Sequence, residues 1–596
     1  MIHAALRGAP GVEKAPGFLG RHYWACLIAL WLACSGVAIV LGWSTISAFR
    51  FHDPDDVMRL MEVRDWQAGQ SWFDVTQYRL NPPTGFSMHW SRLLDLPLAA
   101  VIALLKPWFG QRIAETAAAV IVPMITFGAV MALVAELTRR RVGPGPALLA
   151  AAFCLISVGY LYALPPMRID HHGWAAAAGL GLVLALTSQR NARGAAVAGL
   201  CAALWNHISL EGIAFTAGAA AWLGLRWIAT PKQEGLRLPA FLGTLTAASL
   251  VLYFLVHGTA LISRTFCDAV SPVHLVLFGS ATILTAAAHR LSSGSALSRT
   301  AGLAAAAFLT AAIYRSWAPQ CLGGPFNALD PLTRRLWYMQ VHEGRPLWEL
   351  DVTNAILWIA FPLIGLLGSL IAWRATEPQF RASLLDYAAL LAIATAIGVL
   401  VLRAGAFANL LAIPGNVMLI AFTFDRTKKL RLVPRAGVRA AATLLLCPVG
   451  NMCVVAAFYK PPANDARLDQ ASKCLSVDNL ARLNKLPSAT FMTPLDLAPA
   501  LVAGTHHRAV AAGYHRNAQA MREALIFFTA GDDEARALAR RHETSYLALC
   551  KGEPDVAMMA RLYPKGLAAR LSNGRPPAWL RPIPSEGVGV RLYSIQ

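Results

Sequence analysis

Charge is what this sequence has little of. Asp, Glu, Lys and Arg make up 14 % of its 596 residues, where a soluble chain carries about 25 %. That scarcity excludes a soluble enzyme, a disordered chain and a long coiled coil. The ten cysteines are scattered and form no Cys-x-x-Cys pair, which removes zinc-finger and thioredoxin-like readings. The sequence has no Walker A, Gly-x-Ser-x-Gly or His-Glu-x-x-His motif, and no Gly-x-Gly-x-x-Gly behind a strand pattern, so nothing marks a nucleotide site or a familiar hydrolase. No repeat of solenoid period is present.

Apolar residues are abundant instead, at 56 %, with a mean hydropathy of +0.47. The net charge is +20. In a soluble protein such an excess would point to nucleic acid. Here the Arg and Lys fall in short loops between apolar runs, so the positive-inside rule accounts for them, and nucleic acid is not expected as a partner. The apolar runs lie at about 23–43, 113–137, 146–164, 173–187, 194–210, 213–229, 238–256, 272–288, 300–315, 354–373, 384–402, 404–423 and 437–458. Together they suffice for roughly a dozen membrane crossings. The basic loops at 139–141, 190–193, 226–237, 290–299, 374–381 and 426–439 share one side if the helices number about thirteen. The expected architecture is therefore a polytopic α-helical membrane protein of the bacterial inner membrane. Residues 1–458 form its transmembrane part, with large external loops at 51–112 and 316–353. Residues 459–596, more charged and of mixed pattern, form a periplasmic α/β domain in which "SATFMTPLDLAPALVAGTHHRAVAAGYHR" reads as strand, turn, helix, strand. Cys474 and Cys550 lie in that oxidising compartment as a bridge or as two buried thiols. The stretch 93–109 reads as a helix lying at the interface.

Polar groups at the edge of a bilayer are costly and mark function. Four clusters fall on the outer side. His52-Asp53-Pro54-Asp55-Asp56 puts three carboxylates within four positions, next to Arg59 and Arg64. They need a cation among them, although Asp55 or Asp56 also suits a helix cap. Arg168-Ile169-Asp170-His171-His172 sets Asp and His at i and i+2, where both can face one cation. The loop 316–352 carries Val341-His342-Glu343, whose acid is also placed to pair with Arg345. Arg403 lies between two apolar spans with no acidic neighbour in sequence. It either snorkels to the interface or meets a phosphate. In the tail, His506, His507, Arg508, Tyr514, His515 and Arg516 are crowded enough to meet an acceptor, or to form a solvated edge. The segment Asn81–Asp95, with Trp72 and Trp90, either shapes an acceptor groove or anchors the loop at the interface.

The order and spacing of the four clusters resemble those of the type C glycosyltransferases, in particular the catalytic subunit of archaeal and bacterial oligosaccharyltransferase. Asp53-Pro54 followed by Arg59 is similar to that family's first-loop motif. Asp170-His171-His172 is similar to its metal motif, Val341-His342-Glu343 to its fifth-loop motif, and Arg403 with Pro414 to its phosphate-binding helix. The resemblance spans about 20–425. The family's Trp-Trp-Asp-Tyr-Gly acceptor motif is missing. The resemblance implies the type C fold and transfer of a sugar or oligosaccharide from a polyprenyl-phosphate-linked donor to a glycan, lipid or protein acceptor at the periplasmic face, with inversion. It implies Mg²⁺ or Mn²⁺ held by Asp53, Asp170 and His172. Asp53, Asp55 and Glu343 would be the catalytic residues, and Arg403, Arg59, His171 and Asp56 would bind substrate. The rival class is a secondary transporter or flippase of a lipid-linked or anionic substrate, with charges lining a path at the midplane.

Overall fold

The structure, a computed structural model, describes residues 18–458 except 260 and 293, and 474–596 except 586–588. The expected boundary at 458/459 falls at the edge of the stretch 459–473, which lies outside the described residues. Every apolar stretch read from the sequence falls on a helix. Among the described residues, nine helices are long and apolar enough to cross a membrane. The other four stretches are the 17-residue helices His172–Ser188 and Ala192–Ile208 and two interrupted runs. One run is split between Pro144–Leu155 and Val158–Ala163, where Ser157 caps the second piece. The other breaks at Pro448.

The helix Asp95–Val142 bends sharply at Gly110, whose φ of 78° is open to glycine without strain. Residues 95–109 before the bend carry the exposed Leu104, Trp108 and Phe109, as an interfacial helix should. Helices Val352–Ala375 and Ala404–Arg426 pack backbone to backbone. A Cβ on Gly415 would come within 2.1 Å of the Gly365 carbonyl oxygen, and one on Gly368 within 2.2 Å of the Gly415 oxygen. Small residues permit such approach where apolar burial alone gives helices no reason to pair.

Two of the basic loops, at 190–193 and 226–237, meet in one network. Arg190 and Arg237 both meet Glu234 and Asp386, from loops far apart in sequence, and Arg226 binds Glu234 at 3.0 Å. Some of the positive charge is therefore fixed in an internal network.

Loop 51–112 and the tail form one body. Loop one holds a short antiparallel pair, β1 Thr76–Gln77 and β2 Phe86–Ser87, and the tail a five-stranded sheet of order β4-β3-β5-β7-β6, with β3 Thr490–Met492, β4 Arg508–Ala509, β5 Thr544–Cys550, β6 Leu580–Ile583 and β7 Val590–Ile595. The first three strands in that order run parallel and the last two antiparallel. The helix Leu497–Gly504 stands between β3 and β4, as the sequence pattern indicates. Loop one is stitched to the sheet edge: Asn81 donates its backbone N–H to the Ala509 carbonyl, and Ala509 to that of Arg79, each at 3.0 Å. A single apolar core runs from Val57, Leu60 and Met61 through Met167 and Ile169 to Leu497, Leu501 and Leu592. Asp268 ties the tail down again through Arg516 and His515 at 2.7 Å.

Two disulfides form. Cys474–Cys550 closes the tail across 76 residues, and Cys267–Cys321, which the sequence reading did not single out, joins two external loops. Cys474→Ser is expected to cost the tail about 2–4 kcal/mol, read as earlier protease cleavage on warming. Equal resistance in variant and wild type would contradict the bridge.

Candidate active site

Two loops build the acidic centre. Asp53 caps the helix Pro54–Gln67: its Oδ1 accepts from the backbone N–H of Asp55 at 2.8 Å and of Asp56 at 3.4 Å, while Asp56 Oδ2 accepts from Asp53 N at 3.3 Å. Cap, proline at the first helical position and acids in the first turn all suit a helix start. The cap is therefore Asp53, where the sequence reading had offered Asp55 or Asp56. The Oδ1 of Asp56 leaves its own helix and accepts from the backbone N–H of Ile169 (2.8 Å) and Asp170 (3.1 Å). His52 Nε2 lies 3.0 Å from the Pro166 carbonyl. Pro165-Pro166 forces the turn. Met167, at φ 70°, occupies a region unfavourable for a side chain and is held there by its N–H to the Ala119 carbonyl at 2.8 Å.

These clamps bring oxygens of Asp53, Asp56 and Asp170 within 4.8 Å of one another. Arg168 lies among them. Its Nη1 contacts Asp53 and lies 3.4 Å from Asp56 Oδ2; its Nη2 lies 2.9 Å from Asp170 Oδ2. Burial opposes the charge on Arg168, but Asp170, Asp56 and Asp53 outweigh it and raise the guanidinium pKa further. Asp170 Oδ2, buried, is also 3.6 Å from His172 Nε2.

A second group adjoins the first. Tyr162 Oη donates to Glu343 Oε2 at 2.5 Å and lies 3.2 Å from His172 Nε2. Arg403 pairs with Glu211 at 2.9 Å and with Glu343 at 3.7 Å. Its backbone N–H donates to the Glu343 carbonyl and that of Leu402 to the Arg345 carbonyl, so the loop 316–352 is docked on the start of helix Ala404–Arg426. Arg345 turns away to Glu349 at 2.7 Å, leaving Glu343 to the site. Close contact at Gly159, where a Cβ would meet the Ala406 carbonyl oxygen at 2.6 Å, brings the Tyr162 helix against the Arg403 helix. Beside Arg403, a small cavity of about 50 Å³ lies between helices. Trp205, Phe215, Ile397, Phe407 and Leu410 wall it, with Tyr162, His172, Glu211 and Arg403 among the polar lining. Arg403 Nε is buried without a hydrogen bond, a donor without an acceptor.

Asp53, Asp56, Asp170, His172, Glu343 and Arg403 thus gather as the sequence suggested. His171 is buried with its ring 4.2 Å from that of His172. Asp55 is half-buried and stands between this group and the tail. Burial first, and then the charges of Asp53, Glu343 and Asp170, push its carboxyl well above the usual carboxylate range. Tyr514, stacked with Phe86 and edge-on to Trp90, places its hydroxyl 3.4 Å from the Pro54 carbonyl and beside Asp55. Arg59 stands behind the centre. Its Nη1 contacts Glu62, Asp95 and the Ser91 carbonyl, its guanidinium lies over Trp90, and it is 1 % exposed, so it supports the fold of the loop and offers no surface to a substrate. His507 is likewise a core residue, bonded to the Leu483 carbonyl, while His515 and Arg516 belong to the Asp268 tie. Sequence reasoning missed Glu211, Tyr162 and the central position of Arg168. An acid at the mouth of two apolar spans, as in Ser209-Leu210-Glu211, was a signal; Tyr162 gave none.

Six carboxylates (Asp53, Asp55, Asp56, Asp170, Glu211 and Glu343) face two guanidiniums. Clustered carboxylate oxygens beside one imidazole suit a hard divalent cation.

The helices and the outer body together form a polytopic helical fold, and solved structures of an archaeal oligosaccharyltransferase share it. No family model matches the chain, and no curated protein does. Solved structures do match. The archaeal oligosaccharyltransferase AglB from Archaeoglobus fulgidus, in complex with an inhibitory peptide and a dolichol-phosphate, aligns over 95 % of this chain and 73 % of its own, with a TM-score of 0.66 at 16 % identity. The same organism's enzyme in complex with Zn and sulfate aligns over 96 % and 73 %, with a TM-score of 0.61 at 16 % identity. ArnT from Cupriavidus metallidurans aligns over 96 % and 98 % with a TM-score of 0.39 at 12 % identity.

Asp56→Ala leaves the N–H groups of Ile169 and Asp170 buried without an acceptor. A loss of about 2–3 kcal/mol is expected, read as a lower thermal midpoint in detergent. An unchanged midpoint would contradict the clamp.

Proposed function

We propose that this chain is a membrane glycosyltransferase that moves a sugar or oligosaccharide from a polyprenyl-phosphate-linked donor to an acceptor at the periplasmic face of a bacterial inner membrane. About thirteen spans and the α/β tail form its frame. The observation that carries the reading is the joining of an acidic centre to an arginine-headed apolar cavity. The apolar walls of that cavity suit the first carbons of a polyprenyl chain, and its phosphate suits Arg403, whose Nε lacks an acceptor and which Glu343 holds in place. The AglB neighbour's bound dolichol-phosphate supports the same donor class.

Breaking the glycosidic C–O bond leaves a phosphate, so negative charge grows on the leaving oxygen. Asp53, Asp170 and His172, with Glu343, would hold Mg²⁺ or Mn²⁺ beside it. That cation, once bound, supplies Lewis-acid stabilisation of the developing charge. Arg403 adds its own. Asp55 takes the acceptor proton: Asp53 is committed to its helix cap and to the cation, Asp56 to two backbone N–H groups, whereas Asp55 has no ion pair among the described residues and faces the tail. Acceptor entry on the side of Asp55 and Tyr514, opposite the phosphate, gives inversion at the anomeric carbon. Without the Trp-Trp-Asp-Tyr-Gly motif, the acceptor is a glycan, lipid or protein group bound by the loop-one and tail surface. The gathering of polar groups at one end of the helices favours this reading over a carrier or flippase.

With a polyprenyl-phosphate-linked sugar and mass-spectrometric detection of product, Asp55→Asn and Asp170→Asn are each expected to lower kcat by about 10²–10⁴-fold. Arg403→Gln is expected to raise the donor KM by about 10–100-fold. Full activity in all three variants would remove the proposal.

A further inference from the structure

Arg168 occupies the point where three carboxylates from two distant loops meet, and it carries one positive charge against their three. We propose that Arg168 is a built-in counter-cation of the acidic centre and that a divalent ion enters by displacing its guanidinium. This rests on the reading of the centre as a divalent site and adds to it a residue that sets how readily the ion binds.

The argument is one of space and charge. An ion shared by Asp53 and Asp170 needs oxygen contacts of about 2.0–2.6 Å. Oxygens of Asp53, Asp56 and Asp170 lie within 4.8 Å of each other, which leaves room for a single cation between them. Nη1 and Nη2 fill that room now, one against Asp53 and Asp56 and the other 2.9 Å from Asp170. A divalent ion and a guanidinium at that spacing would repel strongly in a buried site. One must leave.

The side chain is placed to move. Its backbone N–H is fixed to the Pro165 carbonyl at 3.1 Å, so the loop keeps its shape when the guanidinium swings. Its Nε is buried without a hydrogen bond, so departure breaks fewer bonds than a fully satisfied arginine would lose. Its Cζ is already 5.5 Å from the centre of the Tyr162 ring, and that face offers a cation a landing place close to Arg403 and the cavity mouth. A displaced Arg168 would add positive charge on the side where the donor phosphate is expected. Without the ion, the arginine keeps the carboxylates from repelling the two loops apart. That explains how a centre with this excess of acid remains closed.

The test uses the full-length protein in detergent, with Mn²⁺ as the probe. Binding is measured by titration calorimetry, and Asp170→Asn identifies the share that belongs to this centre. Arg168→Gln removes the competitor and is expected to bind Mn²⁺ at least tenfold more tightly than wild type; Arg168→Lys, which keeps a charge, falls between them. Phenylglyoxal labelling of Arg168 in the wild type, read by peptide mass spectrometry, does not depend on a variant folding. It is expected to be slow without metal, since the side chain is 6 % exposed, and several-fold faster with Mn²⁺. Equal Mn²⁺ affinity in wild type and Arg168→Gln, with labelling unchanged by Mn²⁺, would overturn the displacement while leaving the divalent centre standing. No Mn²⁺ binding in any variant would overturn both.

Discussion

One carboxylate holds the architecture of the outer face together. Asp56 starts a helix in the first external loop and accepts two backbone N–H groups from a turn 113 residues later. Without that clamp, Asp53 and Asp170 would belong to separate loops and the acid between them would have no reason to be close. The clamp pays twice, because the same turn is bent by Pro165-Pro166 and tethered through Met167 to the long helix Asp95–Val142. The acidic centre is thus a junction of three pieces of chain, each held by backbone hydrogen bonds that do not depend on any ligand.

Such a centre concentrates like charge in a region shielded from water, which is unfavourable unless each charge has a partner. The chain answers with two arginines of different settings. Arg403 is fixed between Glu211 and Glu343 at the mouth of an apolar cavity, with one guanidinium nitrogen left over. Arg168 is packed inside the carboxylate cluster. The close helix contacts at Gly159, Gly365 and Gly415 let the elements carrying Tyr162, Glu343 and Arg403 approach within hydrogen-bonding distance. The backbone packing of the bundle and the chemistry of its outer end are therefore one problem solved together.

Much of this was legible in the sequence. Long apolar runs and basic loops gave the helices, and the clusters around Asp53, Asp170, Glu343 and Arg403 were visible because polar residues beside apolar spans stand out. The strand-turn-helix pattern of the tail was readable from its alternation. What escaped were relations that depend on direction in space. Arg59 looked like a partner for Asp53 by spacing, yet helix geometry turns it toward Glu62 and Asp95. Asp56 looked like a cap, and one of its oxygens does accept from Asp53 N, yet the other points at a distant loop. Tyr162 lies in an apolar stretch and gave no hint that its hydroxyl would bridge Glu343 and His172. The pairing of Cys267 with Cys321 needed the fold, because separation along the chain does not fix which thiols meet.

The most direct measurement is an experimental structure in lipid with Mn²⁺ and a polyprenyl phosphate, the ion located by its anomalous signal. The account predicts one Mn²⁺ between Asp53, Asp170 and His172, the phosphate on Arg403, and the first carbons of the lipid chain in the cavity walled by Trp205, Phe215 and Phe407. Asp53 and Asp170 far apart, or the phosphate bound at the opposite end of the helices, would contradict it.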